Sequence, residues 1–324
     1  MAEEREKPGN SPGWERETLE RLAFAALDEQ RRARRWHIFF RFLIIGLIVA
    51  LVVALHVPPW SQQETIGGTG RFAAVVNLDG TIEAGGRASA HNVDAALRAA
   101  FRSNAVGIIL KADSPGGSPV QADEMNAEIT HLRKRYPHKP IYAVLGDICA
   151  SGCYYVVAAA NKIYANPSSL VGSIGVLMDG FGFVGTMKKL GVQRRLLVAG
   201  RYKGFLDPFS PMTPKDRLFV DRMLRQIHAR FIAKVKQGRG ALLAKNDPRL
   251  FSGLAWTGER AKELGLIDGF GDARGVAREF LGTTSLVNFT RKPSLINQVT
   301  RRFGMDLANA LSAKLMSPRP ALRY

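Results

Sequence analysis

Apolar strand patterns alternate with helix patterns through the middle of this 324-residue chain, and this alternation limits the fold more than any other feature. The two patterns follow one another from residue 73 to residue 237, with turns rich in glycine between them. Such an order predicts an α/β fold that has a largely parallel sheet with helical crossovers.

The predicted elements are short strands and longer helices. The strands are predicted at Ala73–Leu78, Val106–Lys111, Pro140–Leu145, Lys162–Ala165, Ile174–Met178 and Gln193–Val198. The helices are predicted at Ala90–Arg102, at Ala122–Arg135, from the Cys149–Tyr155 motif to Ala160, and at Thr213–Gln237. The last helix is expected to begin with Thr213 as its N-cap and Pro214 in its first turn.

One apolar run precedes this region and has the length of a membrane span. Residues 38–57 read IFFRFLIIGLIVALVVALHV, and about 20 such residues cross a bilayer as a helix. Arg31, Arg32, Arg34 and Arg35 precede the run, which predicts a cytoplasmic N-terminus. A cleaved signal peptide and a buried core helix are the alternatives. The long arm before the run and the lack of a clean small-x-small cleavage site disfavour the first, and the flanking arginines and the length of the run disfavour the second.

The formal net charge of +18 points to an anionic partner. Nucleic acid and anionic lipid would both serve. Zinc-finger, RNA-recognition and basic-zipper patterns are missing from the sequence, which argues against nucleic acid. The two cysteines, Cys149 and Cys153, form neither a disulfide framework nor a set of zinc ligands, so they say little about the compartment.

Four short motifs stand at the ends of predicted elements. In chain order they are Ser114–Gly117, Cys149–Tyr155, Gly172–Val176 and Gly200–Lys203. The two glycines of the first motif allow a tight turn whose N–H groups point into a cleft, where they could stabilise an oxyanion. A plain Pro-Gly turn is the simpler interpretation of that motif alone.

Ser151 is the serine best placed to act as a nucleophile. It lies between a predicted strand and a predicted helix, where its hydroxyl is exposed beside the first N–H groups of the helix. An ordinary helix N-cap is the commoner role for a serine at such a place. Ser114 is a rival nucleophile, but it precedes a proline and is expected to be extended.

A serine nucleophile needs a base, and the six histidines all lie outside the four motifs. A lysine can be the base when burial keeps it neutral. Lys203 stands in a segment rich in glycine and aromatic residues, and Ser173 could hydrogen-bond its amine. An exposed loop lysine and an ordinary strand-edge serine are the simpler interpretations.

Taken in this order, the motifs resemble those of the bacterial signal peptide peptidase A family in its short form with a single protease repeat. The likeness runs from about Phe72 to Leu281 and includes the closing segment Thr257–Asp268. It implies a ClpP/crotonase-like fold after a single anchor. It also implies a serine endopeptidase that cuts signal peptides left in the membrane after secretion.

The resemblance implies a role for each motif. Ser151 corresponds to the nucleophile, Lys203 to the general base and Ser173 to the residue that orients the lysine. The amides of the oxyanion hole are expected at Gly116, Gly117 and Gly152. The implied partners are peptide substrates, the lipid bilayer and a homo-oligomeric ring in which neighbouring chains complete the dyad. No cofactor, metal or nucleic acid is implied.

The nucleophile motif departs from the family pattern, which usually reads Ala-Ala-Ser-Gly-Gly. Cys149 and Cys153 replace two small residues, and cysteine is small and apolar enough to fit. Cys153 adds a side chain where glycine is usual, which could narrow the cleft. Catalysis by either cysteine is disfavoured because neither has a basic partner nearby in the sequence.

The implied organisation has five parts. They are a polar and basic arm at 1–37, a transmembrane helix at 38–57, a linker at 58–70, a protease domain at 71–282 and a basic tail at 283–324. The protease domain is expected on the periplasmic side of the bacterial inner membrane. The alternatives are a related Ser/Lys protease that cuts a specific membrane protein, and a non-catalytic membrane scaffold of the same fold.

Overall fold

The computed structural model describes residue 32 and residues 34–48, 70–244 and 247–290 of the chain. The chain divides into two compact units, one formed by Glu64–Pro293 and the other by Met1–Gln63 with Ser294–Tyr324. In the second unit the described residues form one helix, α1, through residues 34–48.

Only part of the predicted N-terminal organisation falls within the described residues. None of the helices that the structure describes is both long enough and apolar enough to cross a bilayer. The predicted span at 38–57 is described as far as residue 48. The predicted linker, apart from Gly70, and the tail from residue 291 onward lie outside the described residues.

An eight-stranded sheet lies at the centre of the unit Glu64–Pro293. Its strands are β1 Ala73–Asp79, β2 Ile108–Ser114, β3 Ile141–Ala150, β4 Lys162–Ala165, β5 Leu170–Gly172, β6 Ala255–Thr257, β7 Gly269–Phe270 and β8 Leu286–Asn288. The strand order is β6-β5-β3-β2-β1-β8, and β4 joins β3 to β7. The pairing is parallel throughout except between β5 and β6.

Seven further helices connect and cover the described strands of this sheet. They are α2 Ala90–Arg102, α3 Pro119–Arg135, α4 Gly152–Val157, α5 Val184–Lys189, α6 Pro214–Arg239, α7 Gly258–Glu263 and α8 Ala273–Leu281. Parallel neighbours need such crossovers because a tight hairpin can join only antiparallel strands. The predicted α/β fold is therefore confirmed.

The central strands are buried on both faces, as strands between two helical layers must be. In β1, Ala74, Val76 and Leu78 pack into the larger core cluster, and Ala73 and Val75 pack into a second cluster on the opposite face. Successive side chains of a strand point to opposite faces, so an unbroken apolar run fills both layers.

Two sequence features of the helices reappear in the structure. Helix α2 has the predicted bounds, and α6 begins one residue after Thr213. The Thr213 side chain accepts a hydrogen bond from the Asp216 N–H, and the Asp216 carboxylate accepts one from the Thr213 N–H. This reciprocal pair satisfies two N–H groups at the start of the longest described helix.

Two predicted strands are wrong. Residues 174–178 and 193–198 form no strand. Apart from the buried Ile174, both stretches lie within residues 175–212, which we call the lysine segment. Helix α5 is the one regular element described in this segment, and none of the segment's residues is buried. Both stretches have strand-like sequences, but a strand needs a partner for its backbone N–H and C=O groups. The described part of the chain offers none.

Candidate active site

Two of the four motifs meet at one edge of the sheet. Strand β2 ends at Ser114 and β3 ends at Ala150, and Ser114 pairs with Cys149 in the parallel register. The carboxyl ends of parallel strands thus place the glycine loop, Ser114–Gly117, beside the nucleophile turn, Cys149–Cys153. Clefts outside such strand ends are the usual ligand sites of α/β sheets.

The nucleophile turn has an unusual backbone at its central residue. Ser151 has φ 54° and ψ −122°, a region that residues with a side chain rarely adopt. Its N–H donates to the Gly172 carbonyl at 2.8 Å, and its carbonyl accepts from the Tyr155 N–H at 3.0 Å. Helix α4 follows at once, so Ser151 occupies the sharp strand-to-helix turn that exposes a nucleophile in many hydrolases.

The glycine loop lies directly against this turn. Gly116 has φ 99°, and a Cβ added there would lie 2.7 Å from the Gly152 nitrogen and 2.8 Å from the Ser151 Cβ. At Gly117, φ is 145°, and a Cβ would lie 2.2 Å from the Ile82 carbonyl oxygen. Only glycine fits at either position, because a Cβ would meet backbone and would also require a strained φ.

The amides of the three predicted glycines differ in their hydrogen bonds. The Gly116 N–H donates to the Ser114 Oγ at 3.1 Å. The N–H groups of Gly117 and Gly152 have no acceptor among the described residues. These two amides are therefore free to bind an oxyanion, whereas Gly116 contributes its small size. Ser114 is fully buried and is occupied by the Gly116 N–H.

Ser173 lies next to the nucleophile turn because β5 pairs with the end of β3. Gly172, the residue before it, pairs with Ala150 and accepts the Ser151 N–H. Ser173 has φ 49°, and its Oγ donates to the Gly253 carbonyl at 3.1 Å. Because β5 pairs with the end of β3, Ser173 lies near Ser151. Its hydroxyl, which could orient a lysine, instead donates to a backbone carbonyl of the same chain.

Lys203 lies in the lysine segment and is exposed. Its backbone N–H donates to the Gly200 carbonyl at 3.0 Å. Within the described part of the chain, its ammonium group forms no hydrogen bond or ion pair. The single chain therefore brings together Ser151, Ser173 and the three glycines, and it does not bond Lys203 to either serine.

The two cysteines require a correction. We expected them to act as small apolar replacements, but Cys149 and Cys153 form a disulfide that encloses Ser151. Both are fully buried. The strand-to-helix turn brings their Cα atoms to 5.1 Å, within the range that a disulfide requires. In an extended strand, four-residue spacing would place the two Cα atoms too far apart for a disulfide, so the spacing alone did not predict the bond.

Sequence reasoning missed a polar cluster behind the turn. The Tyr155 hydroxyl, on α4, donates to the Asp123 carboxylate at 2.7 Å, and Arg230, on α6, binds that carboxylate at 2.6 Å. Burial and the bond to Asp123 raise the pKa of the Tyr155 hydroxyl to about 12. Although burial acts to raise the pKa of Asp123, the hydrogen bonds from Tyr155 and Arg230 outweigh it and hold the pKa below its usual value.

A histidine also contacts the site from α6. The His228 Nε2 lies 3.0 Å from the carbonyl oxygen of Ile174, the residue after Ser173. Sequence patterns gave no signal for this contact or for the Asp123 cluster, because the partners lie far apart in the chain. Helix α6 thus touches both the helix that follows Ser151 and the turn that holds Ser173.

Comparison with known proteins identifies one family. A model of peptidase family S49 matches residues 133–281, a range that contains Ser151, Ser173 and Lys203. A Brucella abortus protein named Na(+)/H(+) antiporter NhaA is 38% identical over 74% of this chain and 33% of its own length.

Two further relatives are named as proteases. Serine protease SPPA, chloroplastic, of Arabidopsis thaliana is 32% identical over 50% of this chain and 24% of its own length. Protease 4 of Haemophilus influenzae is 30% identical over 61% of this chain and 32% of its own length. The chain spans about a quarter to a third of the length of the three relatives named here.

Proposed function

Since this chain belongs to peptidase family S49, we propose that it is a membrane-anchored serine endopeptidase in which Ser151 is the nucleophile and Lys203 the general base. The observation that carries the proposal is the Ser151 turn, where a serine at φ 54° lies against a loop that only glycine can form. Backbone strain of this kind, of order 1–3 kcal/mol, is concentrated at active sites.

The reaction follows from the groups at the turn. The Ser151 hydroxyl attacks the carbonyl carbon of a peptide bond, and unprotonated Lys203 takes its proton and passes it to the leaving amine. The free N–H groups of Gly117 and Gly152 stabilise the oxyanion of the tetrahedral intermediate. Water then hydrolyses the acyl-enzyme. In the active assembly, Ser173 orients the lysine.

Lys203 reaches this site from a second copy of the chain. The lysine segment exposes several large apolar side chains by 72% to 94%: Leu177, Phe181, Leu190 and Leu197. Apolar surface on this scale marks an interaction site rather than a solvated loop. A homo-oligomeric ring, in which the segment of one chain packs against the nucleophile turn of the next, covers this surface and completes the dyad.

A membrane anchor fits the N-terminal part of the chain. Helix α1 exposes Trp36, Phe39, Phe40 and Phe42, and the apolar sequence continues to Val57. The substrates that suit an anchored endopeptidase are signal peptides remaining in the membrane after secretion. A specific membrane protein is the alternative substrate.

The nucleophile is tested by two matched serine variants. Ser151→Ala should lower peptide hydrolysis by at least about 10³-fold and abolish labelling by a fluorophosphonate probe. Ser114→Ala should keep activity within about tenfold of the unmodified chain, because Ser114 is buried and only supports the glycine loop. Loss of labelling in Ser114→Ala and its retention in Ser151→Ala would overturn the assignment. If the unmodified chain is neither labelled by the probe nor able to cleave peptides, a non-catalytic membrane scaffold is the better function.

A further inference from the structure

The disulfide has a position that its packing alone does not explain. Cys149 is the penultimate residue of β3, and Cys153 is the second residue of α4. The bond therefore joins a strand end to a helix start and has Ser151 at the middle of the five-residue loop that it closes.

This bond is compatible with few conformations of the loop. In an extended strand, Cα atoms four residues apart are separated by about 13 Å. A disulfide requires a separation of about 4.4–6.8 Å, and the observed value is 5.1 Å. The disulfide thus excludes every state in which β3 continues in extended form through Ser151, and it keeps the sharp turn at which the half-buried Ser151 lies.

The turn needs such a constraint because its central residue is strained. A serine at φ 54° persists only where its surroundings fix it more strongly than the strain opposes it. The Ser151 N–H bond to Gly172 and the Tyr155 N–H bond to the Ser151 carbonyl hold the turn from outside the loop. The disulfide holds it from within, since both half-cystines are fully buried and fixed by the core.

We propose that Cys149 and Cys153 are positioning residues for catalysis, whose disulfide holds Ser151 in its reactive conformation. This inference rests on the proposed role of Ser151 as the nucleophile. The bond forms when the two thiols lose two protons and two electrons to a disulfide-bearing oxidant, which is converted to two thiols by exchange. Such an oxidant acts outside the cytoplasm, on the side of the membrane where we place the catalytic domain.

A double-mutant cycle separates positioning from packing. The full-length chain is compared with Cys149→Ala, Cys153→Ala and the double variant, by kcat, KM and the rate of fluorophosphonate labelling. Each single variant should lose about tenfold in kcat with KM unchanged, and the double variant should lose no more than either single one. That equality is expected because either substitution removes the same bond. Circular dichroism and gel filtration ensure that all four proteins are folded and equally assembled at the assay temperature.

Reduction of the unmodified chain tests the same bond without substitution. The protein is treated with a dithiol in mild urea and returned to buffer, and its kcat is measured. An aliquot is then alkylated so that its mass gives the fraction of reduced chains. The fall in kcat should follow that fraction, and the double variant given the same treatment should be unaffected.

Three results would overturn the inference. Losses that add between the two single variants would indicate packing, and variants as fast as the unmodified chain would show that the bond has no catalytic role. Full kcat in protein whose reduction is confirmed by its mass would also show that the bond has no catalytic role. An unmodified chain that is not labelled at Ser151 would instead overturn the proposed nucleophile itself, so the two failures are distinguishable.

Discussion

The nucleophile turn and the lysine segment differ in almost every structural respect, although both carry predicted catalytic residues. The nucleophile turn lies between buried strands and is closed by a disulfide, with its central residue held by hydrogen bonds on both sides. The lysine segment contains one six-residue helix and no buried residue. One chain thus builds the turn of the proposed nucleophile and the proposed oxyanion site, whereas the proposed base, Lys203, contacts neither serine within a single chain.

The largest effect that would sharpen this comparison is expected at Lys203. Lys203→Arg should lower kcat by about 10²–10⁴-fold, because a guanidinium stays protonated and cannot accept the serine proton. Folding should be unchanged, since the side chain is exposed. The matched control is Lys189→Arg in the same segment, which should retain full activity. An active Lys203→Arg enzyme would show that another group is the base.

The next largest effect is expected from a charge placed on the apolar surface of the lysine segment. Leu197 is 94% exposed, and Leu197→Asp should lower the assembled fraction and reduce activity by about tenfold or more, because a charge opposes burial in an interface. The midpoint of urea unfolding should change little, since exposed substitutions alter stability by about 0.5 kcal/mol at most. Sedimentation and peptide hydrolysis measure both effects.

The control for this substitution is Thr186→Asp, which places the same charge at an exposed polar position of the segment. It should leave assembly and activity unchanged. If Leu197→Asp assembles fully and remains active, the apolar surface has no part in forming the site.

The two regions also show what the sequence could and could not predict. Helix α2 and strand β4 have the predicted bounds because their apolar residues pack within the same chain. Residues 193–198 have a strand-like pattern but no strand beside them, so the pattern alone was misleading. A local pattern predicts an element reliably when the partner of that element belongs to the same chain.

The same distinction applies within the site. Ser151 and the two loop glycines could be placed at strand ends from the sequence, since parallel strands end at a common edge. The disulfide, the His228 contact and the Asp123 cluster depend on how α4 and α6 lie in three dimensions. The two cysteines are only four residues apart, but their bond depends on the turn between β3 and α4. The other two contacts join residues far apart in the chain, and spacing in one sequence carries no record of such pairs.

The smallest predicted effect concerns Asp94, a buried residue of α2 outside both the nucleophile turn and the lysine segment. Burial, reinforced by the negative charge of Glu128, raises the pKa of Asp94 to about 7, and its Oδ1 has no hydrogen-bond partner among the described residues. Because the folded state holds this proton more tightly than the unfolded state, the free energy of unfolding should fall as the pH rises from about 4 to about 7.

Asp94→Asn should remove this dependence and stabilise the protein by about 1–2 kcal/mol at pH 8, after allowance for solvent screening. Urea unfolding of the full-length protein at pH 5 and pH 8 measures the difference. Asp147→Asn, at an exposed position, is the control and should have an effect within about 0.5 kcal/mol. An Asp94→Asn protein that is less stable at pH 8 would contradict the burial of an uncompensated charge.

Mixing two inactive variants tests most directly whether the catalytic site is shared between chains. Ser151→Ala and Lys203→Ala chains are each inactive alone and are assembled together in equal amounts. About one quarter of the sites should then combine an intact serine from one chain with an intact lysine from its neighbour, so about one quarter of the activity should return. A mixture of Ser151→Ala chains with chains that carry both Ser151→Ala and Lys203→Ala is the control and should remain inactive. A fully assembled mixture of the two single variants that stays inactive would contradict the shared site.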